Sequence, residues 1–232
     1  MRIETNWLRQ AARVIYPQVC LLCETEYAHG DHPVCVKCSA QLPPTGHWER
    51  RDNDFTEKFW GRLPLHSAAA LYYFKAGNRV QRLLHQIKYE NKPELAVAAG
   101  RELGRQLRMV PWYDRVQAVV PVPLHHRKLR RRGYNQSAAF ARGLAEVLQV
   151  SHFPHALRRT VYTATQTRKD KFERLVNVAP VFEVRRPGLI EGKHLLLVDD
   201  VLTTGATLEA CARPLLGIEG TVLSMAAIAM AR

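Results

Sequence analysis

The segment from Leu195 to Thr207, LLLVDDVLTTGAT, constrains the fold of this chain more than any other stretch. An apolar run of strand character ends in two adjacent acids, and a short hydroxyl-rich loop with one glycine then opens the helical pattern ATLEACARPLLG. Strand, loop and helix in that order are the unit of an α/β fold, with the loop at the carboxyl end of a strand, where such folds bind ligands. Successive loop amides and a helix N-terminus cradle phosphate. Thr203, Thr204 and Thr207 add hydroxyl donors, Gly205 allows close approach of the backbone, and Ala206 begins the helical pattern. Asp199 and Asp200 would sit beside the sugar, accepting hydrogen bonds from vicinal hydroxyls and holding a divalent cation directly or through water. The residues point to a phosphorylated sugar.

The same unit recurs upstream. VQAVVPV at 116–122 reads as a buried strand, a charged loop is expected from Leu124 to Gly133, and NQSAAFARGLAEVLQV opens with an Asn-type cap before a long helical stretch. From Ser67, AAALYYF is strand-like, and NRVQRLLHQIKY and PELAVAAGRELGRQLRM carry helical spacing; TVLSMAAIAMA supplies a final strand. Continuous apolar strands alternating with helices predict a mainly parallel sheet with helices on both faces. A chain of 232 residues with 47% hydrophobic content can build that core.

Four of the five cysteines cluster in sequence. Cys20 and Cys23 form one CxxC pair, Cys35 and Cys38 a second, a spacing suited to a structural Zn2+ held by four thiolates in a small zinc-ribbon-like module. Such a module folds largely on metal binding. A pair of disulfides is the alternative for a secreted chain, but MRIETNWLRQAARVIYPQV lacks the apolar segment and cleavage site of a signal peptide. His29 and His32 are expected in the loop between the pairs, and Cys211, alone in a helical pattern, as a small buried hydrophobe. No apolar run reaches membrane-spanning length, so a soluble, cytoplasmic protein without membrane insertion is expected, with the helically spaced start (Ile3, Trp7, Leu8, Ile15) docked on the protein.

Between module and sheet, the Pro-rich and charged stretch after Cys38 reads as a connector. Residues 1–60 are expected to hold the N-terminal helix, module and linker, and 61–232 the α/β domain. Trp48, Phe55, Phe59 and Trp60 are expected to pack the module onto that domain, with stacking on a base as the alternative. The net charge of +13 is concentrated: twelve Lys and Arg against three Asp and Glu fall between residues 125 and 174. This favours anionic or phosphorylated partners.

LLLVDDVLTTGAT resembles the phosphoribosyl pyrophosphate (PRPP) motif of type I phosphoribosyltransferases. The resemblance implies that Asp199 and Asp200 bind ribose and Mg2+ and that Thr203, Thr204, Gly205, Ala206 and Thr207 bind the 5′-phosphate. The CxxC pairs, PVPLHHRKLRRRGYNQ at 121–136 and RTVYTATQTRKDKFERLVN at 159–177 narrow the likeness to the ComF/GntX family, associated with competence and DNA utilisation, over nearly the whole chain. It implies a pyrophosphate-side loop of Pro121, Val122, Pro123 and Leu124, with Arg132, Asn135 and Gln136 contributing. It also implies a flexible loop at 160–173 closing over substrate, with Thr163, Gln166, Arg174 and Asn177 matching the family spacing.

Two functions are compatible with these residues. One is a Mg2+-dependent phosphoribosyltransferase that passes through an oxocarbenium-like state, releases pyrophosphate and serves an acceptor the sequence does not name. The other is an accessory protein with a retained PRPP or nucleotide pocket, whose zinc module and basic loops engage single-stranded DNA or a DNA-processing protein.

Overall fold

Four long strands of mainly apolar sequence, with a two-residue edge strand, make the centre of the molecule, a computed structural model that describes residues 19–28, 32–160 and 181–232. They are β1 (Ser67–Phe74), β2 (Val116–Pro121), β3 (Ser151–His152), β6 (His194–Leu202) and β7 (Val222–Ala231), in the order β1-β7-β6-β2-β3. Every neighbouring pair is parallel, as the continuous apolar runs predicted. A separate antiparallel hairpin joins β4 (Leu157–Arg159) to β5 (Phe182–Val184).

Parallel sheets bury both faces, and here each face has its own core. On one lie α3 (Arg79–Tyr89), α4 (Pro93–Arg108) and α6 (Gln136–Leu148), whose Leu83, Leu103 and Phe140 pack with Val119 and Leu196. On the other, α7 (Ala206–Leu216) lays Leu208, Cys211 and Leu215 beside Leu195, Leu197 and the linker rings Phe55 and Phe59. Asn78 caps α3 by accepting from the Gln81 amide, and Asn135 caps α6 by accepting from the Ser137 amide. Helices α4 and α6 cross at backbone contact: a methyl on Gly100 would lie 2.2 Å from the Phe140 carbonyl oxygen, and one on Gly143 2.1 Å from that of Val97.

Two segments differ from expectation. The stretch predicted as a charged loop from Leu124 to Gly133 is mostly helical, α5 (His126–Arg132), with the His125 side chain accepting from the Arg127 amide and Gly133 ending the helix in a left-handed conformation. Lys and Arg are good helix formers, and cations in the last turn complement the helix dipole; a run of like charge hid this. After a one-turn helix, α1 (Val36–Ser39), the linker, read as a connector, holds a 3-10 turn at His47–Glu49 and a short helix, α2 (Asp54–Glu57). Asn53 starts α2 through a capping box and also donates to the carbonyl of Ala68 in β1, pinning the linker to the sheet. Phe55 and Phe59 are fully buried, Trp48 is partly buried, and Trp60 is exposed.

No described helix is long and apolar enough to cross a membrane. The expected N-terminal docking helix, His29, and the loop residues Thr163, Gln166, Arg174 and Asn177 lie outside the described residues.

Candidate phosphate and metal sites

The carboxyl end of β6 carries Asp199 and Asp200. Asp199 Oδ1 accepts hydrogen bonds from the Ser137 hydroxyl and the Asp200 amide, both at 2.9 Å, while the Asp200 carboxylate pairs with Lys88 of α3 at 3.2 Å. Burial, and then repulsion from Asp200, push the Asp199 carboxyl up to about 7, against the lowering effect of these hydrogen bonds and of Lys88. A carboxylate so short of positive charge favours a cation or hydroxyl donors in front of it.

The strand then runs into Thr203 to Thr207. Thr203, Thr204, Ala206 and Thr207 are exposed, and Gly205 is buried at φ +81°, where it opens α7 with no side-chain cap. Gly205 offers α7 no capping side chain, and the Thr204 hydroxyl stands 3.4 Å from the Ala206 amide, so hydroxyl and helix amides gather at one helix end, an arrangement that can receive an anion. Gly205 is required for two reasons: its left-handed backbone, and a Cβ there would sit 2.8 Å from Cζ of Phe59.

Pro121 to Leu124 leave β2 next to this end of β6, with the Val122 amide donating to the Val198 carbonyl at 2.9 Å. Asn135 Nδ2 donates to the Val122 carbonyl at 3.0 Å while its Oδ1 caps α6, so this side chain ties the loop to the helix that carries Ser137. Gln136 is buried. Arg132, at the end of α5, lies with its guanidinium 5.4 Å from the ring centroid of Tyr89, the residue after Lys88. Burial, followed by Arg159, Arg132, Arg131 and Lys88, holds the Lys128 ammonium below its usual range, the signature of crowded cations. A groove of about 480 Å³ runs between Pro123 and Leu124 on one side and Arg158 and Arg159 on the other.

Two of the loops named from the sequence, 121–124 and 203–207, lie among the described residues at one end of the sheet. The sequence reading missed Lys88 and Ser137. Ser137, two residues after a predicted cap, faces the acids only through tertiary packing, and nothing local in HQIKY marks Lys88 as a partner of Asp200. The His125 side chain is buried as the cap of α5.

The second site is the four-cysteine cluster. The ligand atoms of Cys20, Cys23, Cys35 and Cys38 lie within 4.8 Å of one another, with the Cys23 and Cys35 sulfurs 3.9 Å apart, and none is in a disulfide. Sulfurs bound tetrahedrally at about 2.3 Å from Zn2+ stand about 3.8 Å apart, so the cluster could hold a zinc ion. Backbone amides of Leu22 and Cys35 point at Cys20 Sγ, and that of Cys38 at Cys35 Sγ, the polarity a thiolate needs. Hydrogen bonds from Thr25 pull the Cys23 thiol down to about 5, while burial pushes Cys38 up to about 12. Full ionisation of the set calls for a cation in its midst. Cys211 is buried, its thiol raised far above the usual range by desolvation, as expected of an inert core residue.

The phosphoribosyl transferase domain family matches residues 135–231. DNA utilization protein YhgH of Salmonella typhimurium is 31% identical over 212 residues, covering 88% of this chain and 82% of the relative. Competence protein ComFC of Bacillus subtilis is 28% identical over 233 residues, covering 89% and 92% of the two chains. Among solved structures, a glutamine PRPP amidotransferase from B. subtilis, complexed with ADP and GMP, is 20% identical at a TM-score of 0.41, covering 61% of this chain and 30% of that one. With the YhgH likeness running along most of both chains, and with a phosphoribosyltransferase-like domain following a four-cysteine cluster, this chain belongs to the ComF family.

Proposed function

We propose that the chain binds PRPP, or a nucleotide sharing its phosphorylated ribose, and that this binding serves the uptake of DNA or its use as a nutrient. The observation that carries the reading is the continuity of the acidic pair with a glycine-opened helix N-terminus: β6 delivers Asp199 and Asp200, and five residues later Gly205 opens α7. The 5′-phosphate would lie on the amides and hydroxyls of Thr203 to Thr207, and the ribose hydroxyls on the two carboxylates. Pro121 to Leu124, with Arg132, would border the pyrophosphate, and the residues at 163, 166, 174 and 177 would belong to the loop that covers it.

Asp199 and Asp200 are the residues that would hold Mg2+, and the raised Asp199 carboxyl fits that role. Bound there, the ion supplies charge neutralisation to the diphosphate. Lys88 balances Asp200, Ser137 orients Asp199, and the crowded cations around Lys128 favour an incoming polyanion. Transfer of the phosphoribosyl group to a nitrogenous acceptor, with release of pyrophosphate, is the chemistry that such a site supports. In this reading residues 1–60 form the module and linker, 61–232 the phosphoribosyltransferase-like domain, Zn2+ fills the cysteine cluster, and the protein works in the cytoplasm.

The test is calorimetric titration of zinc-loaded protein with PRPP and Mg2+, beside the double variant Asp199→Asn, Asp200→Asn, followed by a pyrophosphate-release assay with a panel of nucleobases. Binding by the wild type and its loss in the variant support the pocket; release with one base makes it an enzyme; no wild-type binding contradicts the reading. A second reading, contact with single-stranded DNA or a DNA-processing partner, is favoured by the exposed Arg127, Arg130 and Arg131 on α5. It predicts salt-dependent, sequence-independent affinity for single strands, and no binding at low salt would remove its nucleic-acid part.

A further inference from the structure

The linker between the cysteine cluster and the sheet reaches beneath the phosphate loop. Asn53 anchors it, accepting from the Phe55 and Thr56 amides and donating to the Ala68 carbonyl at 3.0 Å. One turn after α2, the Phe59 ring is fully buried against the buried Gly205, so close that no Cβ fits between them, with the Leu202 side chain on the same side. Three residues further, Arg62 donates to the Lys58 carbonyl at 3.0 Å, stacks 5.7 Å from the Phe59 ring centroid and pairs with Glu209 in the first turn of α7. Glu209 is the acid at the helix end where an anion would sit; Arg213 pairs with it at 2.5 Å, and Arg213 and then Arg62 hold its carboxyl below the usual range.

We propose that Phe59 is a positioning residue of the phosphate site, setting the shape of the Thr203–Thr207 loop from below, and that Arg62 shares with Arg213 the neutralisation of Glu209, so that the helix end accepts an anion. The linker is then part of the ligand site in the α/β domain as well as a tether for the cysteine module. This rests on the reading of Thr203 to Thr207 as a phosphate cradle. Two physical arguments support it. A glycine with positive φ has many alternative conformations, and a ring packed against it removes those that would turn the loop amides away. An unpaired carboxylate within a turn of the first amides of α7 would repel phosphate, and cations on it remove that repulsion.

The experiment uses full-length, zinc-loaded protein with Phe59→Leu and, separately, Arg62→Gln, a partly exposed position where loss of the fold is not at issue. Each is titrated with ribose 5-phosphate and with inorganic pyrophosphate, and amide exchange is followed without ligand. For Phe59→Leu, ribose 5-phosphate affinity is expected to fall about tenfold with pyrophosphate affinity within about twofold, and exchange is expected to quicken at Gly205 to Leu208 with the β6 and β7 amides unchanged. For Arg62→Gln, the same ligand-selective loss is expected, shrinking as salt is raised. Equal weakening of both ligands, or wild-type affinities together with wild-type exchange at the loop, would overturn the inference. Failure of the phosphate reading itself appears differently, as absence of ribose 5-phosphate binding by the wild type. In that case quickened exchange in Phe59→Leu would still support control of the loop by Phe59, and unchanged exchange would overturn that as well.

Discussion

Asp199 is held at odds with stability: burial and the charge of Asp200 oppose its ionisation, yet two hydrogen bonds orient it toward the open end of the sheet. Gly205 has a comparable dependence on its surroundings, and Gly205→Ala should lower stability by about 1–3 kcal/mol and abolish ribose 5-phosphate binding, checked by urea unfolding and titration. At the other end of β6, His194 Nε2 lies 2.8 Å from the Ser224 hydroxyl, which in turn lies 2.8 Å from that of Ser67, with the His66 ring packed edge-on. Burial first, then His66 and Arg115, push the His194 imidazole from 6.5 down to about 4. Between these values the unfolded chain takes up a proton that the folded protein refuses, so this contribution to stability is full above pH 6.5 and is lost as pH falls toward 4. His194→Gln should flatten that loss, by up to about 3 kcal/mol, seen as a smaller difference between unfolding midpoints at pH 7 and at pH 5.

Among the elements, the α4–α6 crossing is the tightest constraint. In an open helix Gly→Ala stabilises by about 1 kcal/mol, but at Gly143 the added methyl meets the Val97 carbonyl, so Gly143→Ala should instead destabilise by about 2 kcal/mol, measured by chemical denaturation. The strands and long helices were legible because each carries its own period: HLLLVDD and VQAVVPV read as buried strands, and PELAVAAGRELGRQLRM as a helix. Nothing in the sequence around the two glycines of the crossing marks their contact, since close approach is a property of two elements together. For the same reason LLLVDDVLTTGAT announced the acidic pair and the loop, whereas Lys88 comes to Asp200 from another helix. The linker rings were expected to pack the module onto the domain; Trp48 lies against the core that includes the module's cysteines, while Phe55 and Phe59 enter the opposite core, Phe59 beneath Gly205, a destination that sequence spacing does not encode.

Across the whole molecule, two sites with different chemistry share one chain. The turn between α3 and α4 touches the cysteine module through Lys92, which donates to the Leu21 carbonyl at 3.0 Å and pairs with Glu24. Thr45 and Pro43 hydrogen-bond to β1 before the linker reaches α2. Chelation of bound metal should therefore melt the module at lower temperature while the sheet retains its own transition, followed by calorimetry as metal is titrated back; one transition unchanged by chelator would argue against a structural ion. The central claim is that the acids of β6 and the N-terminus of α7 form one site for a phosphorylated ribose. Its most direct test is a crystal structure with PRPP and Mg2+: the account predicts the 5′-phosphate on the amides of residues 203–207 and the ribose hydroxyls on Asp199 and Asp200, and a ligand seated on the basic helix α5 with the acids untouched would contradict it.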